Sequence, residues 1–309
     1  MTLNVESLYA EHRQFLWGLC YRMTGNAADA DDAVQDTFVQ AMQRPPRRTD
    51  DPLRPWLVKV AVNRSRDVLR RRRRREYIGP WLPSPVDTGD DSAPPSHEPV
   101  VDGARTLEGR YDLLESVSFA FLLALERLTP TQRAVLLLRD VFDYSVKETA
   151  DALDISAANV KTTHHRARRL MSAYDGAPQV PTARAQASTQ AALTLFLRCL
   201  EQHDVAGVEA LLAEDVRTTT DGGGEFVAAR KTIVGRDAVA KFYLRIAAGA
   251  VGSQIRFTLM NGLPAIVADV PSPAPPQAPR YVLQVEIDRR GRISHVYIVS
   301  ATRKLTAVS

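Results

Sequence analysis

The chain has 309 residues, 45% hydrophobic and 25% charged, with a net charge of +4. Such a composition belongs to soluble globular proteins, and the length exceeds one core, so two or three domains are expected. No apolar run approaches the roughly 20 residues that cross a bilayer; the densest, 119–125, is far shorter. The opening MTLNVESLYAEHR has no basic segment followed by an apolar stretch, so a cytoplasmic protein that does not engage membranes is expected. Cys20 and Cys199 are distant and lie in apolar helical patterns. They read as buried thiols in a reducing compartment, and neither a metal nor a cofactor is expected.

The distribution of charge says more than its sum. Residues 1–85 hold 15 Lys/Arg against 10 Asp/Glu, including six consecutive arginines at 70–75. Residues 86–104 hold five acids and no Lys or Arg, and 159–171 hold four bases and no acid. Two basic helical faces joined by an acidic linker suit a nucleic-acid binder with two points of grip.

In chain order, 3–24 carries Leu8, Phe15, Leu16, Leu19, Cys20 and Met23 near helical spacing. Gly25 ends that helix and Asn26 can cap the next. The second helix, about 27–43, aligns Ala30, Val34, Phe38 and Ala41 on one face and Asp29, Asp32 and Asp36 on another. Acids in a first turn offset the helix dipole, and a carboxylate-rich face can equally dock a basic partner helix. After a polar loop, Asp51-Pro52 starts a third helix bearing Trp56, Leu57, Val60, Ala61, Val68 and Leu69. Asn63, Arg64 and Arg66, near Trp56, suit melted single strand. The arginine run is either a solvated helix end or a backbone grip of strong salt dependence. Residues 79–103 are rich in Pro, Ser, Asp and Gly, a linker with too little apolar surface to offset its ordering entropy.

Helical patterning resumes near Leu107 and ends near Met171. Thr129 and Gln132 form one capping box and Ser145 and Glu148 another; Ser156 caps a last helix. That helix has an inner stripe of Val160, Ala167, Leu170 and Met171, with His164 near it. Asn159, Lys161, Thr162, His165, Arg166, Arg168 and Arg169 are left outside. A short helix, a tight turn and a basic helix suit the major groove, where Arg reads guanine and Asn adenine. The plainer alternative is an αα-hairpin with a solvated basic face.

Beyond a short linker at 176–181, an amphipathic helix carries Leu193, Phe196, Leu197 and Leu200, and another covers 208–212. β-leaning runs follow at 216–220, 226–229, 255–260, 265–270, 281–287 and 293–299, with turns at 221–224, Asn261-Gly262 and Arg290-Gly291. Helices followed by a sheet make this part α+β. Asp215, Asp221, Asp269, His203 and His295 are acid–base candidates that spacing does not pair, so no catalytic residue is assigned. A hairpin turn needs fewer glycines than Gly222, Gly223 and Gly224 supply, so a close backbone approach to the helical domains is expected there.

The stretch FLWGLCYRMTGNAADADDAVQDTFVQAM followed by LRPWLVKVAVNRSRDVLRRRRR resembles region two of extracytoplasmic-function (ECF) sigma factors, and 128–171 resembles their region four. Asp154 departs from the glycine usual in that turn. The resemblance implies an initiation factor that binds core RNA polymerase, its β and β′ subunits, and promoter DNA. It implies polymerase contacts at Asp31, Asp32, Gln35 and Asp36. Contacts to the −10 element fall to Trp56, Asn63, Arg64, Arg66 and Arg70, and those to the −35 element to Asn159, Lys161, Thr162, His165, Arg166, Arg168 and Arg169.

The segment 77–85, including Trp81, Leu82 and Pro83, resembles the linker of the subgroup with a fused SnoaL-like (NTF2-like) domain, a cone of curved sheet and helices around an apolar pocket. Asp221 with Gly222, Gly223 and Gly224, and later 261–265, resemble that domain's motifs; they imply regulatory interdomain contacts and a small ligand of unassigned identity. At 300–305 an Asn-Pro-Asp-Lys-like segment is replaced by SATRKL. The expectation is therefore multidomain: an all-α region two over 1–78, a linker over 79–106, an all-α helix-turn-helix region four over 107–175, and an α+β domain with a mixed or antiparallel sheet over 182–309. A one-component helix-turn-helix regulator with a ligand-sensing tail is the alternative, and an enzyme with a DNA-binding appendage a third.

Overall fold

The computed structural model describes residues 5–44, 53–74, 77–89, 111–249 and 252–309. The chain divides into two compact units: residues 1–76 with 90–179, and Tyr77–Gly89 with Val180–Ser309. Expectations for Asp51-Pro52, Arg75, the acidic stretch 90–104 and Leu107 lie outside the described residues.

The first unit is all-α. Helix α1 (Val5–Thr24) ends at Gly25, whose φ of +67° turns the chain. The Asn26 side chain then accepts from the Asp29 N–H and caps α2 (Ala27–Gln43). Helix α3 (Leu53–Arg74) completes a three-helix layer whose core includes Leu16, Leu19, Met23, Leu57, Val58 and Ala61. Cys20 is buried here, and burial pushes its thiol up to about 12, which leaves it unreactive.

A 3₁₀ turn (Glu115–Val117) leads to α4 (Phe119–Leu125), α5 (Pro130–Asp140), α6 (Val146–Leu153) and α7 (Ala157–Asp175). Both capping boxes form, at Thr129 with Gln132 and at Ser145 with Glu148, and the Ser156 hydroxyl accepts from the Asn159 N–H. Asp154 adopts the left-handed conformation with φ +52°, which Asp tolerates well. Val160, Ala167 and Met171 face the core, whereas Leu170 is 41% exposed and does not join the stripe. Ala167 and Met171 stand one helical turn apart on that face, and Leu170 falls to its side.

The second unit is α+β. Helices α8 (Ala183–Glu201), α9 (Val205–Leu211) and α10 (Arg236–Gly249) cover one face of a six-stranded sheet of order β2-β1-β6-β5-β4-β3. Its strands are β1 (Leu212–Asp221), β2 (Ile233–Val234), β3 (Gln254–Met260), β4 (Leu263–Asp269), β5 (Arg280–Ile287) and β6 (Ile293–Val299). β1 runs parallel to β6 and every other pair is antiparallel, so the sheet is mixed. Phe196, Val216, Val239, Tyr243, Leu283 and Val296 lie in the core between helices and sheet. The Asn261-Gly262 turn joins β3 to β4 with positive φ at both residues, as the shortest hairpins require.

Two expectations fail here. Residues 226–229 form no strand; the Ala229 N–H donates to the Thr220 hydroxyl (2.7 Å) instead of joining a ladder. Helix α10 was not anticipated among the β-leaning runs, although Val239, Ala240 and Tyr243 recur at helical spacing and are all buried.

Candidate polymerase and nucleic-acid interfaces, and the linker dock

The acidic face of α2 is presented unevenly. Asp32, Gln35 and Asp36 are exposed. Asp31 is half-buried and accepts a hydrogen bond from the Trp17 indole N–H (2.9 Å), so part of its work is to hold α2 against α1.

On α3 the residues expected to meet single strand are engaged within the unit. The Arg66 guanidinium donates to Asn63 Oδ1 (3.2 Å) and to the Thr131 hydroxyl at the start of α5 (3.1 Å). Arg64 donates to Gln40 Oε1 (3.1 Å) and Arg70 pairs with Asp67 (3.1 Å), both exposed. Trp56 is half-buried. The arginine run is more than a solvated helix end. Arg72 donates to the Thr24 carbonyl (2.8 Å) and to Glu126 (2.5 Å), and Arg73 donates to the Leu128 carbonyl (2.6 Å). Arg133, 2% exposed, meets the same carboxylate at 2.7 Å. Burial opposes ionisation of Glu126, but Arg133 and Arg72 outweigh it and hold the carboxyl below its usual range. Lys59 bridges to Asp154 in the helix-turn-helix turn (2.6 Å). The two helical blocks thus close on each other, with polar groups of α3 as the fastening.

On α7, Asn159, Lys161, Thr162, His165, Arg166 and Arg169 are exposed. Arg168 is exposed as well, but its guanidinium also forms two bonds to the buried Asp140 (3.0 and 2.6 Å), and the His164 ring N–H donates to the same carboxylate at 2.9 Å. Burial raises the cost of that charge, yet the bonds from His164 and Arg168 prevail and keep the Asp140 carboxyl below its ordinary range. Arg168 therefore fixes α7 to α5, a role the exposed-face pattern could not reveal because Asp140 lies 28 residues upstream.

The expected linker is ordered where it is described. Residues 77–89 lie in the second unit, and Leu82 (1% exposed) and Val86 are buried. The expectation of too little apolar surface fails for 79–89 because that surface comes from the C-terminal domain. The Asp221 carboxylate accepts from the Tyr77 hydroxyl (2.6 Å), the Leu82 N–H (2.7 Å) and the Gly223 N–H (3.0 Å). Lys304, also buried, donates to Asp221 and to the Leu82 carbonyl, with its ammonium over the rings of Tyr77 and Trp81 at 4.9 and 4.3 Å. Further along, the Val86 N–H donates to Asn261 Oδ1 (3.1 Å) and the Thr88 N–H to the Leu259 carbonyl (2.8 Å). The lysine at 304 thus does the work in a tail whose preceding residues depart from the expected motif.

The glycines are explained in the same place. A Cβ on Gly222 would meet the Phe226 carbonyl at 2.7 Å, one on Gly223 the Ala301 Cβ at 2.8 Å, and one on Gly224 the Ile78 Cδ1 at 2.9 Å. The close approach shown is to this loop, the tail and the linker, all within the second unit. The acid–base candidates stay apart: Asp215 is exposed, Asp269 pairs with Arg280 (2.5 Å), and Asp221 is taken by the linker and Lys304. His295 bonds Thr219 (2.9 Å) and stacks on Tyr297. Among the described residues no metal-ligand cluster occurs and no helix is long and apolar enough to cross a membrane.

The sequence matches the family models for Sigma-70 region 2 over residues 8–75 and Sigma-70 region 4 over 118–171. It is 32% identical over 266 residues to the ECF RNA polymerase sigma factor SigJ of Mycobacterium tuberculosis, covering 84% of this chain and 80% of that one. It is 34% identical over 225 residues to SigG of the same organism, covering 66% of this chain and 58% of that one. The crystal structure of the M. tuberculosis extracytoplasmic function sigma factor SigJ shares the fold, with a TM-score of 0.71 at 24% sequence identity across 97% of this chain and 98% of that chain.

Proposed function

This chain belongs to the extracytoplasmic-function family of RNA polymerase sigma factors, and from that premise we propose how its parts divide the work of promoter-specific initiation. Residues 1–78 act as region two. Asp32, Gln35 and Asp36 meet basic helices of core polymerase on its β and β′ subunits, and Asp31 supports them through Trp17. Trp56, Asn63, Arg64, Arg66 and Arg70 contact the −10 element. Residues 107–175 act as region four, with Asn159, Lys161, Thr162, His165, Arg166 and Arg169 contacting the −35 duplex. The role is that of a cytoplasmic binding subunit without catalysis of its own.

The observation that carries this reading is the exposed basic face of α7, presented from a frame capped at Thr129, Ser145 and Ser156, in one chain with an acidic face on α2. Elements about 25 base pairs apart lie on the order of 80 Å apart at 3.4 Å per pair. The bonds from Arg66 to Thr131 and from Arg72 to Glu126 hold α3 against α4 and α5, so binding to both elements requires the first unit to open. The C-terminal domain acts in cis by holding 77–89. Those 13 residues could otherwise extend about 45 Å of tether between the two modules.

Reconstitution tests the reading. Purified core polymerase should gain promoter-specific initiation when this chain is added. Sequence-specific DNA binding that is indifferent to core polymerase would instead establish a one-component regulator.

A further inference from the structure

The helix-covered face of the second unit's sheet is not filled at one end. Between α10 and the ends of β1, β5 and β6 lies a cavity of about 370 Å³, walled largely by Val227, Ala229, Phe242, Ile246, Tyr281 and Ile298. None of its lining residues is a carboxylate, so a reaction that needs a general base finds none in the wall. The polar side chains are few: Thr220, Arg245, Gln277, Tyr281 and Ser300. Thr220 is committed to the adjoining loop through the Ala229 N–H. The Tyr281 hydroxyl has no hydrogen-bond partner among the described residues; burial raises its pKa, so it stays protonated as a donor. Arg245, exposed at the mouth, has no ion-pair partner among the described residues. An apolar chamber with a few donors inside, the Tyr281 hydroxyl among them, and one cation at its rim suits an amphipathic anion.

The walls of this cavity are also parts of the linker dock. Thr220 lines the cavity and Asp221, the next residue, faces the linker, since neighbours on a strand point to opposite faces. Ser300 lines it too, and its N–H donates to the Asp221 carbonyl (2.9 Å) four residues before Lys304. Val227 and Ala229 close the loop that begins with Gly222, Gly223 and Gly224. A ligand that shifts this loop therefore shifts the residues gripping Tyr77 and Leu82.

We propose that the cavity is a receptor site for a small organic anion with an apolar body, its charged group at Arg245 and its body against Phe242, Ile246 and Ile298, and that occupancy alters the hold on residues 77–89. This rests on the reading in which the C-terminal domain regulates the initiation factor in cis.

The test uses the full chain and 8-anilinonaphthalene-1-sulfonate, an apolar ring system with one sulfonate, titrated by fluorescence. Saturable binding is expected, weakened at least fivefold by Arg245→Glu and less than twofold by Arg245→Lys. N-Phenyl-1-naphthylamine, which lacks the sulfonate, should not distinguish the variants. Absence of saturable binding, or equal sulfonate affinity in Arg245→Glu, overturns the receptor site. In the second arm, saturating probe should change hydrogen exchange at the Leu82 and Val86 amides at least threefold; unchanged exchange overturns the coupling. Neither arm contains polymerase, so a chain that passes both yet fails to support initiation would sink the functional reading and leave the receptor site standing.

Discussion

Lys304 and Asp221 form an ion pair with 3% and 0% of their side chains exposed. The pair joins the C-terminal tail to the end of β1, and both partners also bond the linker at Leu82. Two charges withdrawn from water this far are costly unless every partner is in place. Here the carboxylate has three further donors and the ammonium faces two aromatic rings.

Removing one member should therefore release the linker. Lys304→Met is expected to destabilise the second unit by about 3–5 kcal/mol, the usual cost of leaving a buried charge without its partner. Urea unfolding followed by tryptophan emission would measure it. Limited proteolysis should cut within 77–89 in the variant first. A variant as stable as the parent, with the linker still protected, would show that the pair does not hold the dock.

Two arginines two residues apart on α7, and so on different faces of the helix, should behave oppositely. Arg166→Ala is expected to weaken −35 binding by about 1–3 kcal/mol if it reads a base, with unchanged melting. Arg168→Ala should lower stability, because Asp140 is 2% exposed and keeps only His164 as a charge-stabilising side chain. Gel-shift titration and thermal melting of both variants separate the roles; a DNA-only defect in Arg168→Ala would reverse this assignment.

On α2 the contrast is between Asp31 and its neighbours. Asp32→Ala with Asp36→Ala should weaken capture of core polymerase about tenfold without lowering the melting temperature. Asp31→Ala should cost stability by about 1 kcal/mol through the lost Trp17 bond. Undiminished polymerase affinity in the double variant would return those acids to offsetting the helix dipole.

His295 predicts a pH dependence. Burial, then the nearby Arg217, lowers it from 6.5 to about 4. The unfolded chain therefore binds the extra proton between those values, so stability is lost as pH falls through that window. The loss at pH 5 is about 2 kcal/mol relative to pH 7. Glu286 works in the other direction: burial raises its carboxyl, opposed by the Tyr297 hydroxyl, so its contribution grows as pH falls. Comparing the parent with His295→Asn at pH 7 and pH 5 isolates the histidine; a difference that does not vary with pH would refute the assignment.

The sequence by itself determined what depends on near neighbours. The Gly25–Asn26 break, both capping boxes and the left-handed Asn261-Gly262 turn are local, because backbone sterics and side-chain-to-backbone bonds act over three or four residues. The order of acidic α2, basic α3 and helix-turn-helix was legible for the same reason, and so was the exposed face of α7, though not the bond from Arg168 to Asp140. Helix α10 carried a local signal too, its apolar positions recurring every three or four residues.

Only the tertiary structure decided the pairings of groups remote in the chain. Asp140 engages Arg168 across 28 residues, and Arg66 is drawn to Thr131 across 65. Tyr77 and Leu82 reach Asp221 across 144 and 139. Composition marked 79–89 as unable to order, correctly for a segment that must bury its own surface. The Asp221–Lys304 dock supplies that surface from elsewhere in the chain. Whether a polar residue binds a partner or braces the fold depends on which distant group folding brings within hydrogen-bond reach, and sequence spacing does not carry that distance.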